Sequence, residues 1–261
     1  MAKFRRTSQR IGLFLLLSAS AFGQSIEFER VLLPISSPEI SGDSGSRWLT
    51  EHFGRNDGDT PVQYSRDDAA DCGAHACLIT IPPHTTFNLA PSLTKNRVWI
   101  SVEKSKSNQM FFSTMVRDVA KSVELWGTEM PSVRESQFRQ DKLQLLNGAG
   151  GTDFRKNLRI YMIPDLTEGS EATLAVRVYD MDAELTATSK RLGEKVFQLK
   201  TTKFENSLDY LQVSIDHEFP QTQTAERIRV EVERLSGVPL KLWALLSATN
   251  NETQHVTIFT P

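Results

Sequence analysis

Few residues in this chain are arranged for chemistry. Gly42-Asp43-Ser44-Gly45-Ser46 has the Gly-Asp-Ser-Gly order that can frame a nucleophilic serine. Such a serine needs a histidine base and an acidic orienter around it. All five histidines (His52, His75, His84, His217 and His255) follow Ser44. The stretch therefore reads as a loop of small residues ahead of a strand. Cys72 and Cys77 bracket Gly73-Ala74-His75-Ala76. Two thiolates and an imidazole could start a zinc site, but no fourth ligand is local. Two close cysteines in an oxidising compartment form a disulfide instead, and closing so short a loop stabilises the fold by about 2 kcal/mol.

The acidic clusters Asn56-Asp57-Gly58-Asp59 and Asp180-Met181-Asp182-Ala183-Glu184 offer hard oxygen ligands. Neither has the spacing of a calcium loop, and turn formation explains both. Glu103 and Glu233 each follow a strand at matching places. A catalytic carboxylate pair needs two dissimilar environments, so this symmetry favours cross-strand pairing with Arg or Lys. No catalytic residue, cofactor or metal is expected. Trp48 and Trp99 are on or beside strands whose alternate face looks polar, which makes them the candidate ligand surface for a sugar or peptide. Trp243, within Leu-Trp-Ala-Leu-Leu, reads as core.

The elements that carry these residues are strands. Val98, Ile100 and Val102 alternate with more polar neighbours, as do Leu158, Ile160 and Met162, Leu174, Val176 and Val178, and Leu211, Val213 and Ile215. Turn clusters at Asn56–Pro61, Pro82-Pro83, Pro164–Ser170 and Asn250-Asn251 separate them. Met115–Trp126 fits helix or hairpin by spacing alone. Its counterpart Leu245–Thr253 is β-branched with an Asn-Asn turn, so both read as strand-turn-strand.

That counterpart belongs to an internal repeat. Arg97-Val98-Trp99-Ile100-Ser101-Val102-Glu103 lies over Arg227-Ile228-Arg229-Val230-Glu231-Val232-Glu233 at an offset of 130, and the register continues from Met110/Leu240 to Pro131/Pro261. Further upstream, Arg47-Trp48-Leu49-Thr50 matches Arg155-Lys156-Asn157-Leu158. The fold class expected is all-β: two tandem antiparallel β-sandwich domains, immunoglobulin-like and related by internal duplication. The first spans 24–131 and the second 153–261. Residues 132–152 form a linker or edge strand, with Leu143, Leu145 and Leu146 as the strand candidates.

Residues 1–23 read as a signal peptide: Lys3, Arg5, Arg6 and Arg10 precede the apolar run Ile11–Leu17, and small residues suit cleavage before Gln24, with a cut after Ser20 nearly as good. No segment is apolar for the length a membrane span needs. Removing the signal takes the net charge from −2 to −6. So acidic an exported chain has no electrostatic reason to bind nucleic acid. The expected location is secreted or periplasmic.

The chain resembles uncharacterised secreted bacterial proteins built from tandem immunoglobulin-like sandwiches. The resemblance is carried by Phe28–Pro34, Arg55–Pro61, Asn157–Tyr161 and Trp243–Pro261. These are strand and turn patterns, and they imply a fold without an activity. The function expected is a secreted, non-enzymatic binding, adhesion or structural module with a protein or glycan partner; no pattern speaks to oligomeric state. A periplasmic pilus-type chaperone donating the strand Val116–Trp126 is the alternative, and a glycan-active hydrolase the weaker one.

Overall fold

Antiparallel strands account for nearly all of the regular structure. The computed structural model describes residues 26–42, 45–67, 77–92, 96–120, 127–164, 171–185, 190–200 and 210–261. The proposed signal peptide lies outside them. The first ten strands are β1 (Phe28–Leu33), β2 (Ile40–Ser41), β3 (Arg47–Asn56), β4 (Val62–Arg66), β5 (Ile79–Ile81), β6 (Thr85–Leu89), β7 (Val98–Glu103), β8 (Met110–Asp118), β9 (Thr128–Met130) and β10 (Val133–Arg134). Then come β11 (Arg139–Gln140), β12 (Lys142–Ala149), β13 (Phe154–Pro164), β14 (Glu171–Asp180), β15 (Lys190–Lys200), β16 (Tyr210–Ser214), β17 (Arg227–Gly237), β18 (Leu240–Asn250) and β19 (Val256–Phe259). Two single-turn helices, α1 (Met181–Leu185) and α2 (Ile215–Glu218), interrupt the second half.

These strands make four antiparallel sheets, an arrangement consistent with two β-sandwiches. Sheet I has the order β10-β1-β7-β4-β5, and sheet II the order β2-β3-β8-β9 with β6 also on β3. Sheet III runs β11-β18-β13-β16 with β19 also on β18, and sheet IV runs β12-β17-β14-β15. An immunoglobulin sandwich pairs its first strand with its second and joins its last two in a hairpin. Here β1 pairs with β7, and β8 crosses to pair with β3. Strand β3 also pairs with β6 and β4 with β7, and these pairings do not show an immunoglobulin-like topology.

Residues 132–152 are not a free tether. They supply β10 to sheet I, β11 to sheet III and β12 to sheet IV, and both Leu143 and Leu145 are buried while Leu146 is exposed. The β8–β9 and β18–β19 segments are both antiparallel pairs. Residues 121–126 of the first lie outside the described residues.

Three apolar layers fix the order of the stack as II, I, III, IV. Between II and I lie Val31, Leu33, Val62, Ile100, Val102 and Met110. Between III and IV lie Leu158, Ile160, Leu174, Val176, Val230, Val232, Leu242 and Leu246, among others. The middle layer joins the halves and holds Leu32, Trp99, Val133, Phe138, Tyr161, Ile163, Trp243 and Leu245. Side chains alternate across a strand, so β1 sends Val31 and Leu33 one way and Leu32 the other. Strand β18 does the same with Leu242, Ala244 and Leu246 against Trp243 and Leu245. Sheets I and III are thus buried on both faces, which requires the unbroken apolar runs Val31-Leu32-Leu33 and Leu242-Trp243-Ala244-Leu245-Leu246.

Polar groups in the middle layer are paired across it. The fully buried Tyr161 hydroxyl donates to the Pro34 carbonyl, and Asn96 Nδ2 donates to the Tyr210 hydroxyl at 2.8 Å. Tyr161 packs at tilt against Tyr210 and Trp243, with centroids 5.8 and 5.7 Å apart. Around the rim, Glu135 takes Arg30 from sheet I at 2.9 Å and Lys241 from sheet III at 3.5 Å.

Truncating Trp99 to Ala should cost about 3–5 kcal/mol and split one unfolding transition into two, as read by calorimetry. Tyr161→Phe should cost about 1–3 kcal/mol by leaving the Pro34 carbonyl unpaired. Burial pushes the Tyr161 phenol from 10.0 up to about 12, against a smaller lowering by Arg159. Because the folded value is the higher one, this stabilisation is whole below pH 10 and is lost as pH rises to 12. It amounts to about 3 kcal/mol. Denaturation curves across that window should fall less steeply for Tyr161→Phe than for the parent.

Candidate functional site

A groove opens where the end of sheet II meets the β18–β19 turn of the other half. Its cavity is about 380 Å³. The first wall is built by pairing: Trp48 of β3 lies opposite Asp118 of β8, and Thr128 of β9 lies opposite Val116. The Trp48 indole lies over Gly42, where an added Cβ would come within 2.5 Å of its Nε1. Glycine at 42 therefore seats the ring. Trp48 remains half-exposed at this edge, as expected of a residue at a strand end.

The second wall is a prefolded turn. Asn250 Oδ1 accepts the N–H groups of Glu252 and Thr253 at 2.9 and 2.8 Å. Gln254 sits in the left-handed region at φ 60°, accepts from Arg155 at 2.6 Å and donates to Asn251 O at 2.7 Å. Thr253, Gln254, His255 and Val256 consequently face the groove in a fixed arrangement. The Thr128 hydroxyl donates to the Val256 carbonyl at 3.1 Å and ties the walls together.

Charge in the groove is largely spent internally. Arg117 makes a bidentate pair with Glu51 at 2.9 and 3.3 Å. Asp118 Oδ1 accepts the backbone N–H groups of Arg47 and Ala120 at 2.8 and 3.0 Å.

Of the two tryptophans read as a ligand surface, only Trp48 is available to one. Trp99 is 6% exposed, packs at tilt against Phe138 with centroids 5.5 Å apart, and lies under the Arg30 and Arg97 guanidiniums at 5.6 and 5.9 Å. Its polar strand neighbours Arg97 and Ser101 made that face look solvated. The face is instead the contact between the halves.

A histidine set that sequence reasoning passed over lies deep in the first half. His52 Nε2 meets Ser36 Oγ at 3.0 Å, and His52 Nδ1 meets Thr114 Oγ1 at 2.9 Å. Ser36 Oγ also accepts the Ser92 N–H at 2.7 Å. The residue types imitate a nucleophile, base and orienter. All three side chains belong to fully buried residues, and threonine cannot stabilise an imidazolium as a carboxylate does. The array can satisfy buried hydrogen bonds and has no surface at which to attack a substrate. The signal for it was the period-2 series Thr50, His52, Gly54 and Asn56 on one face of β3.

The acidic groups are occupied by neighbours. Asp57 pairs with Arg55 and Asp59 with His84 at 3.1 Å, while Asp180 caps α1 and Asp182 pairs with Arg227. Among the described residues no group of three or more His, Cys, Asp or Glu is placed to hold a metal. Glu233 pairs across strands with Arg177, as expected, whereas Glu103 pairs at 3.1 Å with Lys106 in the turn that follows its own strand. Burial alone would raise Glu231, but hydrogen bonds from Lys142, Arg177 and Gln144 outweigh it and hold the carboxyl below its ordinary range. Hydrogen bonds donated to Glu233, Glu231 and Glu194 in turn raise Arg177. These charges form a ladder on the outer face of sheet IV.

Two further expectations depend on the stretches around the groove. Val116–Asp118, within the strand proposed for donation, pairs with β3, and Val116 pairs with β9 as well. Cys77 stands just ahead of β5, whereas Cys72 lies outside the described residues, as do Asp43 and Ser44. Among the described residues no helix is long and apolar enough to cross a membrane. No family model, curated protein or solved structure matches this chain.

Replacing His52 with Ala should lower stability by about 2–4 kcal/mol, since Ser36 and Thr114 lose a buried partner and a void remains. Urea denaturation would measure the loss.

Proposed function

We propose that the chain is an exported, non-catalytic binding protein: two duplicated β-sandwiches, stacked rigidly, whose ligand site is the Trp48–His255 groove. The groove carries this reading. It has an aromatic wall, a prefolded polar wall and a contribution from each half, which are the features of a small recognition site. The non-catalytic part is supported by the burial of the only Ser–His contact among the described residues.

Duplication is supported by strand order and register. The orders β1-β7-β4-β5 and β12-β17-β14-β15 correspond strand for strand. Adding 108 to β3 numbers and 130 to β8 numbers turns Trp48↔Asp118 into Lys156↔Ala248, and Asn56↔Met110 into Pro164↔Leu240. One ancestral unit explains both offsets at once.

Export rests on the basic and apolar N-terminal stretch, and the oxidising destination suits a Cys72–Cys77 disulfide. Expression in an export-competent bacterium should yield protein beginning at Gln24, lighter by two hydrogens than its reduced form. Retention of an intact N-terminus in the cytoplasm would contradict export. For binding, ligands captured from the native extracellular fraction and rebound in purified form should bind the mature protein but not Trp48→Ala. Equal binding by both would remove the groove from the reading.

A further inference from the structure

The groove's polar groups differ in whether they are already used. Both polar atoms of Gln254 are engaged, and Arg117 is closed by Glu51. Asp118 spends Oδ1 on two backbone N–H groups, and no described residue pairs with Oδ2. The Thr128 hydroxyl donates to Val256 and keeps its lone pairs. His255 is exposed, and its ring can donate from one nitrogen and accept at the other. What faces a ligand is one flat apolar ring, two acceptors and one group that plays both parts.

This set selects for a molecule with an apolar face and hydroxyl donors around its edge. A pyranose has both: its axial C–H groups stack on an indole, and its hydroxyls donate to a carboxylate. An anionic ligand would meet the open oxygen of Asp118, and Arg117, closed by Glu51, offers it no counter-charge. Free negative charge is therefore disfavoured. The cavity, at about 380 Å³, is near the small end of ligand sites and has room for one or two sugar rings.

We infer that the groove binds a neutral saccharide, stacked on Trp48 and donating a hydroxyl to Asp118 Oδ2. The inference rests on the binding-module reading above and names its ligand class.

The test titrates the full mature protein by calorimetry with cello-, malto-, xylo- and chito-hexaose, and with a sialylated oligosaccharide and an oligogalacturonate as charged counterparts. At least one neutral hexaose should bind while the charged ones do not. Trp48→Ala should weaken that binding at least tenfold and Asp118→Asn several-fold, with circular dichroism unchanged. If Trp48→Ala does not fold, Gly42→Ala serves instead, since its methyl would displace the indole. No binding of any neutral hexaose at millimolar concentration, or binding of only the charged ones, overturns the saccharide assignment. In that case Trp48-dependent capture of a protein would leave the module reading intact. Saccharide binding indifferent to Trp48 and Asp118 overturns both.

Discussion

Sheets I and III press their inner faces together, and the Tyr161 hydroxyl reaches across that contact to the Pro34 carbonyl. This contact sets the main constraint on the molecule. A phenol so deeply buried is tolerated only with a partner, because an unpaired hydroxyl there would cost what its hydrogen bond is meant to recover. The partner lies on the opposite half of the chain, so this hydrogen bond forms only when the halves are docked. The large rings around it, Trp99, Phe138 and Trp243, add apolar area that neither half could bury alone. Docking also brings β9 beside β19, where Thr128 meets Val256 and the groove acquires its second wall. The candidate site is in this sense a consequence of the middle layer.

The strands were legible because alternation is a local property. Val98, Ile100 and Val102 point into one layer, as their spacing requires. Repetition resolved Met115–Asp118 as strand, where spacing alone was ambiguous. The use of the faces was harder to read. Arg97, Trp99 and Ser101 mark a face as solvated when only neighbours along the strand are considered, yet it is covered by the other half. Which sheet stacks on which is a long-range fact with no local signature. Strand pairing was hidden for the same reason: nothing in the Val31-Leu32-Leu33 run of β1 specifies that its neighbours are β7 and β10.

The two halves differ most where the core turns polar. At the pair position occupied by Ile160↔Ala244 in sheet III, sheet II has His52↔Thr114. Asn56, also buried, gives its amide to the carbonyls of Thr60, Ile81 and Pro82 at 2.8–3.2 Å. The first sandwich thus relies on satisfied hydrogen bonds where the second relies on apolar packing. Such networks hold a single arrangement of the chain more strictly than interchangeable methyl groups do. That strictness falls on β3 and β8, the strands that carry Trp48 and Asp118.

The groove exists only while the halves stay docked, and a distance distribution across the stack reports whether they do. Spin labels at Asn88→Cys, on the exposed side of sheet II, and at Val196→Cys, on the exposed edge of sheet IV, would report across the whole stack. Pulsed electron resonance should give one narrow distance that survives moderate salt. A broad or multiply peaked distribution would mean that the sandwiches swing independently, and the groove would then have no fixed second wall.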